Sequence, residues 1–328
     1  MSRQQPIGSG FTAYSTAAEV TAGIDLTGQT AIVTGGYSGL GLETVRAFRA
    51  AGAEVIVPAR DVARASRQLA EIDGVVVEEL DLLDPSSIDG FADRFLATGR
   101  ALQLLVNSAG IMATPLARDK RGFESQFATN HLGHFQLTTR LLPALRAAQG
   151  ARVVAVSSRG HRYSPVVFDD PNFEDREYAP YAAYGQSKTA NVLFAVELDK
   201  REQDSGIRAF AIHPGSIMTN LAQNADREVL RRGGFLDDDY QPIIDPSRGL
   251  KTPEQGAATQ VWCATGPQLD GLGGLYCEDV EVAVVHSGAE PDTDVLALTP
   301  GTFGVMPYAI DPDNAHRLWK LSEEMLRR

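Results

Sequence analysis

From Thr30 onward the chain alternates short apolar runs with stretches long enough for helices. The runs are AIVT, EVIVP, VVVEEL, LQLLVN, RVVAVSS and RAFAIHP, with GGLYCE as a short last one. Most are mainly apolar rather than alternating, which marks strands buried on both faces. Parallel strands need a crossover, and a helix in each crossover covers the sheet. The pattern therefore predicts an α/β fold: a doubly wound parallel sheet with helices on both faces. Helices are expected at Gly39–Ala51, after Arg60 through Leu69, from Asp84-Pro85, across Phe123–Leu142 and across Tyr184–Gln203. Two more fall on PEQGAATQVWCAT and on DPDNAHRLWKLSEEML, the latter with Asp311 as N-cap and Pro312 first. Residues 1–28 read as a packing arm with a Thr16/Glu19 capping box, and 29–328 as one domain.

Charge and cysteine usage remove several function classes. The net charge of −12 and the lack of a basic run argue against nucleic-acid binding, which needs clustered Lys and Arg. Cys263 and Cys277 have no metal-ligand spacing, so no zinc site is expected, and the count suits a reducing compartment. MSRQQPIGSG lacks an apolar signal core, and no apolar run is long enough to span a bilayer. A soluble, cytoplasmic protein is expected.

The first strand runs into Thr34-Gly35-Gly36-Tyr37-Ser38-Gly39-Leu40-Gly41. Glycines between a strand and a helix allow a tight turn and close approach of a pyrophosphate to the helix amides. This predicts a dinucleotide site. At the end of the second strand an NAD-binding protein usually places a carboxylate for the ribose 2′-hydroxyl. Here Pro58-Ala59-Arg60 supplies none, and a guanidinium suits a 2′-phosphate. Asp61 reads as the next helix's N-cap, with Arg64 one turn on to assist Arg60. NADP(H) is therefore preferred over NAD(H), which stays open. Asp81, followed by Leu82, is either an acceptor for the adenine amino group or a strand-end cap. Asn107, Ala109 and Gly110, in NSAG, let backbone pass close to the cofactor.

Tyr184 and Lys188 stand four residues apart in AYGQSK, on one helix face, and a serine pair ends at Ser158. A phenol titrates near 10 in water, and a neighbouring ammonium favours the phenolate. The pair is expected to lower the Tyr184 pKa and make it a proton-transfer group, with a serine hydroxyl holding the acceptor oxygen.

Taken in order, Thr34–Gly41, Asp81, NSAG, Asn130, Ser158, Tyr184, Lys188 and the HPG at 213–215 resemble the short-chain dehydrogenase/reductase family. FxxNHLGHFxLT and AYGQSKxANxLFAxEL are similar to its retinol-dehydrogenase/WW-domain-oxidoreductase branch. The resemblance implies a Rossmann fold with a seven-stranded sheet and hydride transfer between NADP(H) and an alcohol or carbonyl. It implies Tyr184 as general acid or base, Lys188 as its helper and a ribose ligand, and Ser158 as the substrate-oxygen anchor, with Ser157 second. Asn130 would hold a relay water, and Pro214, Gly215, Ile217 and Thr219 would flank the nicotinamide. Family analogy adds a homodimer or homotetramer.

Two segments are expected to shape a pocket for a small hydrophobic carbonyl or alcohol. One is a lid at about 216–251, with Met218, Leu221, Leu230, Phe235, Leu236 and Tyr240. The other is an insertion carrying Tyr163, Phe168, Phe173, Tyr178 and Tyr181. His131, His134 and His161 read as packed histidines, and His213 as locally hydrogen-bonded. A catalytically silent NADP-binding sensor is the alternative from another class.

Overall fold

The computed structural model describes residues 4–219, 227–288, 291 and 304–327. Its strands are β1 (Thr30–Thr34), β2 (Glu54–Ala59), β3 (Val75–Glu79), β4 (Leu104–Asn107), β5 (Arg152–Val156), β6 (Arg208–His213), β7 (Leu275–Glu278) and β8 (Glu281–Val282). The helices are α1 (Ala17–Thr21), α2 (Gly39–Ala50), α3 (Val62–Gln68), α4 (Pro85–Ala97), α5 (Ser125–Phe127) and α6 (Gly133–Ala147). They continue with α7 (Pro180–Glu202), α8 (Arg227–Arg232), α9 (Pro253–Thr265) and α10 (Pro312–Leu326).

The sheet order is β3-β2-β1-β4-β5-β6-β7-β8. All neighbours are parallel except β7 and β8. The expected seven parallel strands are present, and the count is corrected by the two-residue β8. β7 turns into β8 through Asp279 and Val280, both with positive φ (52° and 59°). A type I′ two-residue hairpin needs that conformation at both central positions, usually met by Asn-Gly or Asp-Gly. Asp-Val carries no such signal, so the extra strand is invisible in the sequence.

β1 lies between β2 and β4, so the chain winds outward in both directions from that point. A crevice opens there at the carboxyl ends of the strands. Alternate strand residues feed two cores. Ile32, Ile56, Leu105 and Val153 point to the side covered by α4, α6, α7 and α10. Val33, Val57, Val106 and Phe210 point to the side covered by α1, α2 and α9.

The stretch expected as one helix from Phe123 is interrupted. After α5 the backbone widens into a π-helical turn, Ala128–Leu132, before α6 begins. Such turns mark functional sites more often than chance, and Asn130 lies inside this one.

At the other end of the chain α10 packs on α7. Trp319 stacks on Phe194 at 6.0 Å between centroids and meets the edge of Phe135 at 4.8 Å. Asp311 caps α10 by accepting from the amides of Asp313 (3.0 Å) and Asn314 (2.8 Å). Asp311→Ala is expected to cost about 1 kcal/mol of stability in denaturant titration, and Asp311→Asn much less. Wild-type stability in Asp311→Ala would show that the cap contributes nothing.

The first described residues run along the opposite edge. Glu281 gathers the amides of Ile7, Gly8 and Ser9 at 2.8–2.9 Å. The Gln4 side chain donates to the carbonyls of Tyr276 and Ala283 and accepts from the Tyr276 amide. The Thr16/Glu19 capping box forms at α1. Among the described residues, no helix is long and apolar enough to cross a membrane.

Candidate active site

The crevice at the switch point holds a cleft of about 580 Å³. On one side it is bounded by the β1–α2 turn. Gly35 and Gly39 adopt positive φ (68° and 52°), which a side chain would strain. A Cβ on Gly35 would sit 3.0 Å from the Ala109 Cα, and one on Gly41 2.8 Å from the Gly35 carbonyl carbon. The turn therefore presses against both α2 and the 107–110 loop with no volume to spare. Thr34 fastens that contact, its Oγ1 accepting from the amides of Ser108 (2.9 Å) and Ala109 (3.0 Å). Ser38 stands at the N-cap of α2 without bonding it through its side chain. The first-turn amides of α2 are left for an anion, assisted by the helix dipole. A dinucleotide pyrophosphate fits this cradle.

Of the cofactor candidates, Gly35, Tyr37, Ser38, Gly39, Leu40, Gly41, Ala109, Gly110, Pro214, Gly215, Ile217 and Thr219 line the cleft. Four do not. Arg60 is exposed beyond β2, and Arg64 lines the cleft in its place. Asp61 is the N-cap of α3, accepting from the Arg64 amide. The first turn of α3 brings Arg64 to the crevice. Asp81 folds back on its own chain, accepting from the Leu83 amide at 2.9 Å, the strand-end reading. Leu82 is buried beneath Gly133, and Asn107 donates to the Thr138 hydroxyl at 3.0 Å.

The other side of the cleft is chemical. Ser158, Tyr184 and Lys188 line it together. Ser158 follows β5, and Tyr184 and Lys188 stand one turn apart on α7. The Ser158 hydroxyl hydrogen-bonds to the Tyr184 phenol. Lys188 Nζ is 5.6 Å from the Tyr184 ring centre and donates to the Val156 carbonyl at 3.0 Å. Ser157 donates to the Lys188 carbonyl at 2.8 Å, which leaves Ser158 as the serine with a hydroxyl at the phenol.

The protonation expected from the sequence is reversed in direction. Burial pushes the Tyr184 phenol up to about 12, the Ser158 hydrogen bond only partly offsetting it. Burial likewise pulls Lys188 down to about 7. Desolvation acts on both members of the pair and outweighs what each does for the other.

Asn130 is fully buried and does not line the cleft. Its side chain clamps the 107–111 loop, accepting from the Ile111 amide (2.9 Å) and donating to the Ile111 carbonyl (3.0 Å) and to Ser187 Oγ (2.9 Å). A Cβ on Gly110 would touch Asn130 Oδ1 at 3.0 Å and Lys188 Nζ at 3.5 Å, so these groups meet around that glycine.

The aromatic insertion divides in two. Tyr163 and Tyr181 line the cleft, edge to face at 6.1 Å. Phe168, Phe173 and Tyr178 fasten the insertion to the body: Arg317 covers Phe168, and Tyr178 donates to the Thr114 carbonyl. From 216–251, Met218, Leu230 and Phe235 line the cleft, Leu236 is buried in packing, and Tyr240 is exposed. Leu221 lies outside the described residues.

The histidines are packed or locally bonded. His131 sits among Phe127, Phe135 and Phe194 and bonds Ser322 of α10. His161 donates from Nδ1 to the Ser158 carbonyl at 2.7 Å, and its Nε2 accepts from the Met306 amide at 3.1 Å. His213 Nδ1 accepts from the amides of Arg159 and Gly215.

Two contributors have no sequence signal. Arg159 lines the cleft with its guanidinium 6.0 Å from the Phe235 ring. Lys251, fully buried, pairs with Asp279 at 2.5 Å and packs where a Gly215 Cβ would fall.

A profile of the short chain dehydrogenase family matches residues 29–229. With the switch-point crevice, the glycine turn and the Ser158–Tyr184–Lys188 cluster, the chain belongs to the short-chain dehydrogenase/reductase family of oxidoreductases, in its retinol dehydrogenase branch. It is 46% identical over 311 residues to a probable oxidoreductase of Streptomyces antibioticus, covering 93% of this chain and 99% of that one. It is 35% identical over 312 residues to retinol dehydrogenase 12 of Mus musculus, covering 93% and 89%. The crystal structure of an uncharacterized protein from Mycobacterium paratuberculosis superposes with a TM-score of 0.71 at 34% identity, covering 96% and 98%.

Proposed function

We propose that this protein transfers a hydride between NADP(H) and a small hydrophobic carbonyl or alcohol. The observation that carries the reading is the single cleft in which a pyrophosphate cradle faces a Ser158–Tyr184 hydroxyl pair backed by Lys188. Bound nicotinamide would supply or accept the hydride. Tyr184, held protonated by burial, gives a proton to the substrate oxygen in reduction and takes it back in oxidation. Ser158 orients that oxygen. Lys188, anchored on the Val156 carbonyl, places its amine beside the phenol and toward the cofactor side at Gly110. Residues 216–251 act as a lid of the 29–328 domain, and Met218, Leu230 and Phe235 with Tyr163 and Tyr181 exclude water and favour an apolar substrate. The test is NADPH oxidation by purified protein against a panel of aromatic and aliphatic aldehydes and ketones. No oxidation across the panel would overturn the reading.

The preference for NADP(H) rests on Arg64 at the cleft, Arg60 beside it in sequence, and the missing carboxylate at Ala59. A hydrogen bond to a charged group contributes about 1.5–3 kcal/mol. Removing both guanidiniums, as Arg60→Asp with Arg64→Ala, is expected to shift the NADPH-to-NADH ratio of kcat/KM by at least about 10-fold toward NADH. An unchanged ratio would assign the preference elsewhere.

A further inference from the structure

We infer that His134 is a positioning residue that ties the cofactor turn to the π-turn at Asn130 through a hydrogen-bonded chain of fixed direction. Its ring, in the first turn of α6, is buried. Nδ1 lies 3.0 Å from the carbonyl oxygen of Asn130, in the π-turn. Nε2 lies 2.9 Å from Thr34 Oγ1, in the glycine motif.

The chemistry of the partners assigns the protons. A carbonyl oxygen only accepts, so Nδ1 carries the hydrogen. Thr34 Oγ1 already accepts two amides, from Ser108 and Ala109, and so uses both its lone pairs. What it has left is its own proton, and Nε2 is the nearer acceptor, at 2.9 Å against 3.4 Å for the Val106 carbonyl. The ring is therefore the neutral Nδ1–H tautomer. An imidazolium would aim a second N–H at an oxygen with nothing to receive it, and burial holds the ring's pKa down near 4.

The chain of bonds is continuous. It runs from the 108–109 amides through Thr34 and His134 to the Asn130 carbonyl, and the Asn130 side chain continues it to Ile111 and Ser187. Both walls of the cleft are thus registered through one imidazole. A histidine chosen only to fill space would not need two polar partners on separate motifs. The effects on turnover and on NADPH affinity rest on the proposed function, whereas the tautomer does not.

Three variants separate the two ends of the ring. His134→Asn places an amide nitrogen where Nδ1 stands, His134→Gln places an amide oxygen where Nε2 stands, and His134→Phe keeps volume alone. His134→Phe is expected to weaken NADPH binding, read by fluorescence titration, and to lower kcat, each by about 10-fold or more. His134→Asn should recover kcat more than NADPH affinity, and His134→Gln the reverse. ¹⁵N NMR of the wild-type imidazole should show the Nδ1–H tautomer from pH 5 to 8. An Nε2–H tautomer or an imidazolium in that range would overturn the inference. So would wild-type affinity in all three variants, or equal losses in all three that track a fall in Tm. Should His134→Phe fail to fold, the tautomer and the Asn/Gln split still decide. Should the wild type turn over nothing, the functional reading fails, while NMR still tests the ring.

Discussion

Tyr184→Phe is expected to lower kcat by about 10²–10⁴-fold while NADPH still binds. The ring is buried and lies against Gly160, where a Cβ would come within 2.7 Å of Cε1, so phenylalanine fills the same space. Only the hydroxyl is lost, and with it the proton that the substrate oxygen needs and the hydrogen bond to Ser158. The loss should fall on kcat rather than on cofactor affinity, because the glycine cradle is on the opposite wall. NADPH oxidation against a reactive aldehyde, paired with a fluorescence titration, separates the two. Turnover within a few-fold of wild type would remove Tyr184 from the acid/base role.

Gly41→Val is expected to weaken NADPH binding by about 100-fold or more, the scale on which displacing reacting groups by an ångström is felt. Even the first carbon of a side chain there would stand 2.8 Å from the Gly35 carbonyl carbon and 3.0 Å from the Gly36 Cα. Both are backbone, so no rotamer relieves the clash. The turn must move away from α2, and the amides that face the pyrophosphate move with it. The variant should also lose about 1–3 kcal/mol of stability, as overpacked sites do. Titration of NADPH fluorescence at a temperature well below the variant's Tm checks the binding loss directly. Wild-type affinity would show that the anion is held elsewhere.

The sheet was legible because its strands are mostly apolar, and β1, β4 and β5 are buried along their whole length, while the edge strand β3, VVVEE, is half exposed. β8 was not, since Asp279 and Val280 enter the left-handed region without a residue that favours it. Nor was the π-turn at Asn130, which shifts helical phase by one residue inside a continuous apolar pattern. The site candidates came from motifs at strand ends, and strand ends are where a parallel sheet converges, so the glycine turn, Ser158, Tyr184 and Lys188 meet in one cleft. Contacts set by side-chain direction were not readable. Arg64, in the first turn of α3, lines the crevice, whereas Arg60 lies before the Asp61 cap and is exposed. The aromatic insertion split between cleft and body for the same reason. The Tyr184 pKa moved opposite to expectation because a pair in sequence shows its charges but not its burial.

The arm that carries Gln4 also bears on the order in which the fold closes. Gln4 bonds Tyr276 across 272 residues and Ala283 across 279, touching β7 and the residue just after β8 with one side chain. Neither partner is in place until those strands have paired at the far edge of the sheet. Closing so long a loop has little return while the intervening chain is loose. The arm is thus expected to be among the last pieces to dock as the protein folds. Once docked, it joins the start of the described chain to the most distant edge of a sheet laid down before it.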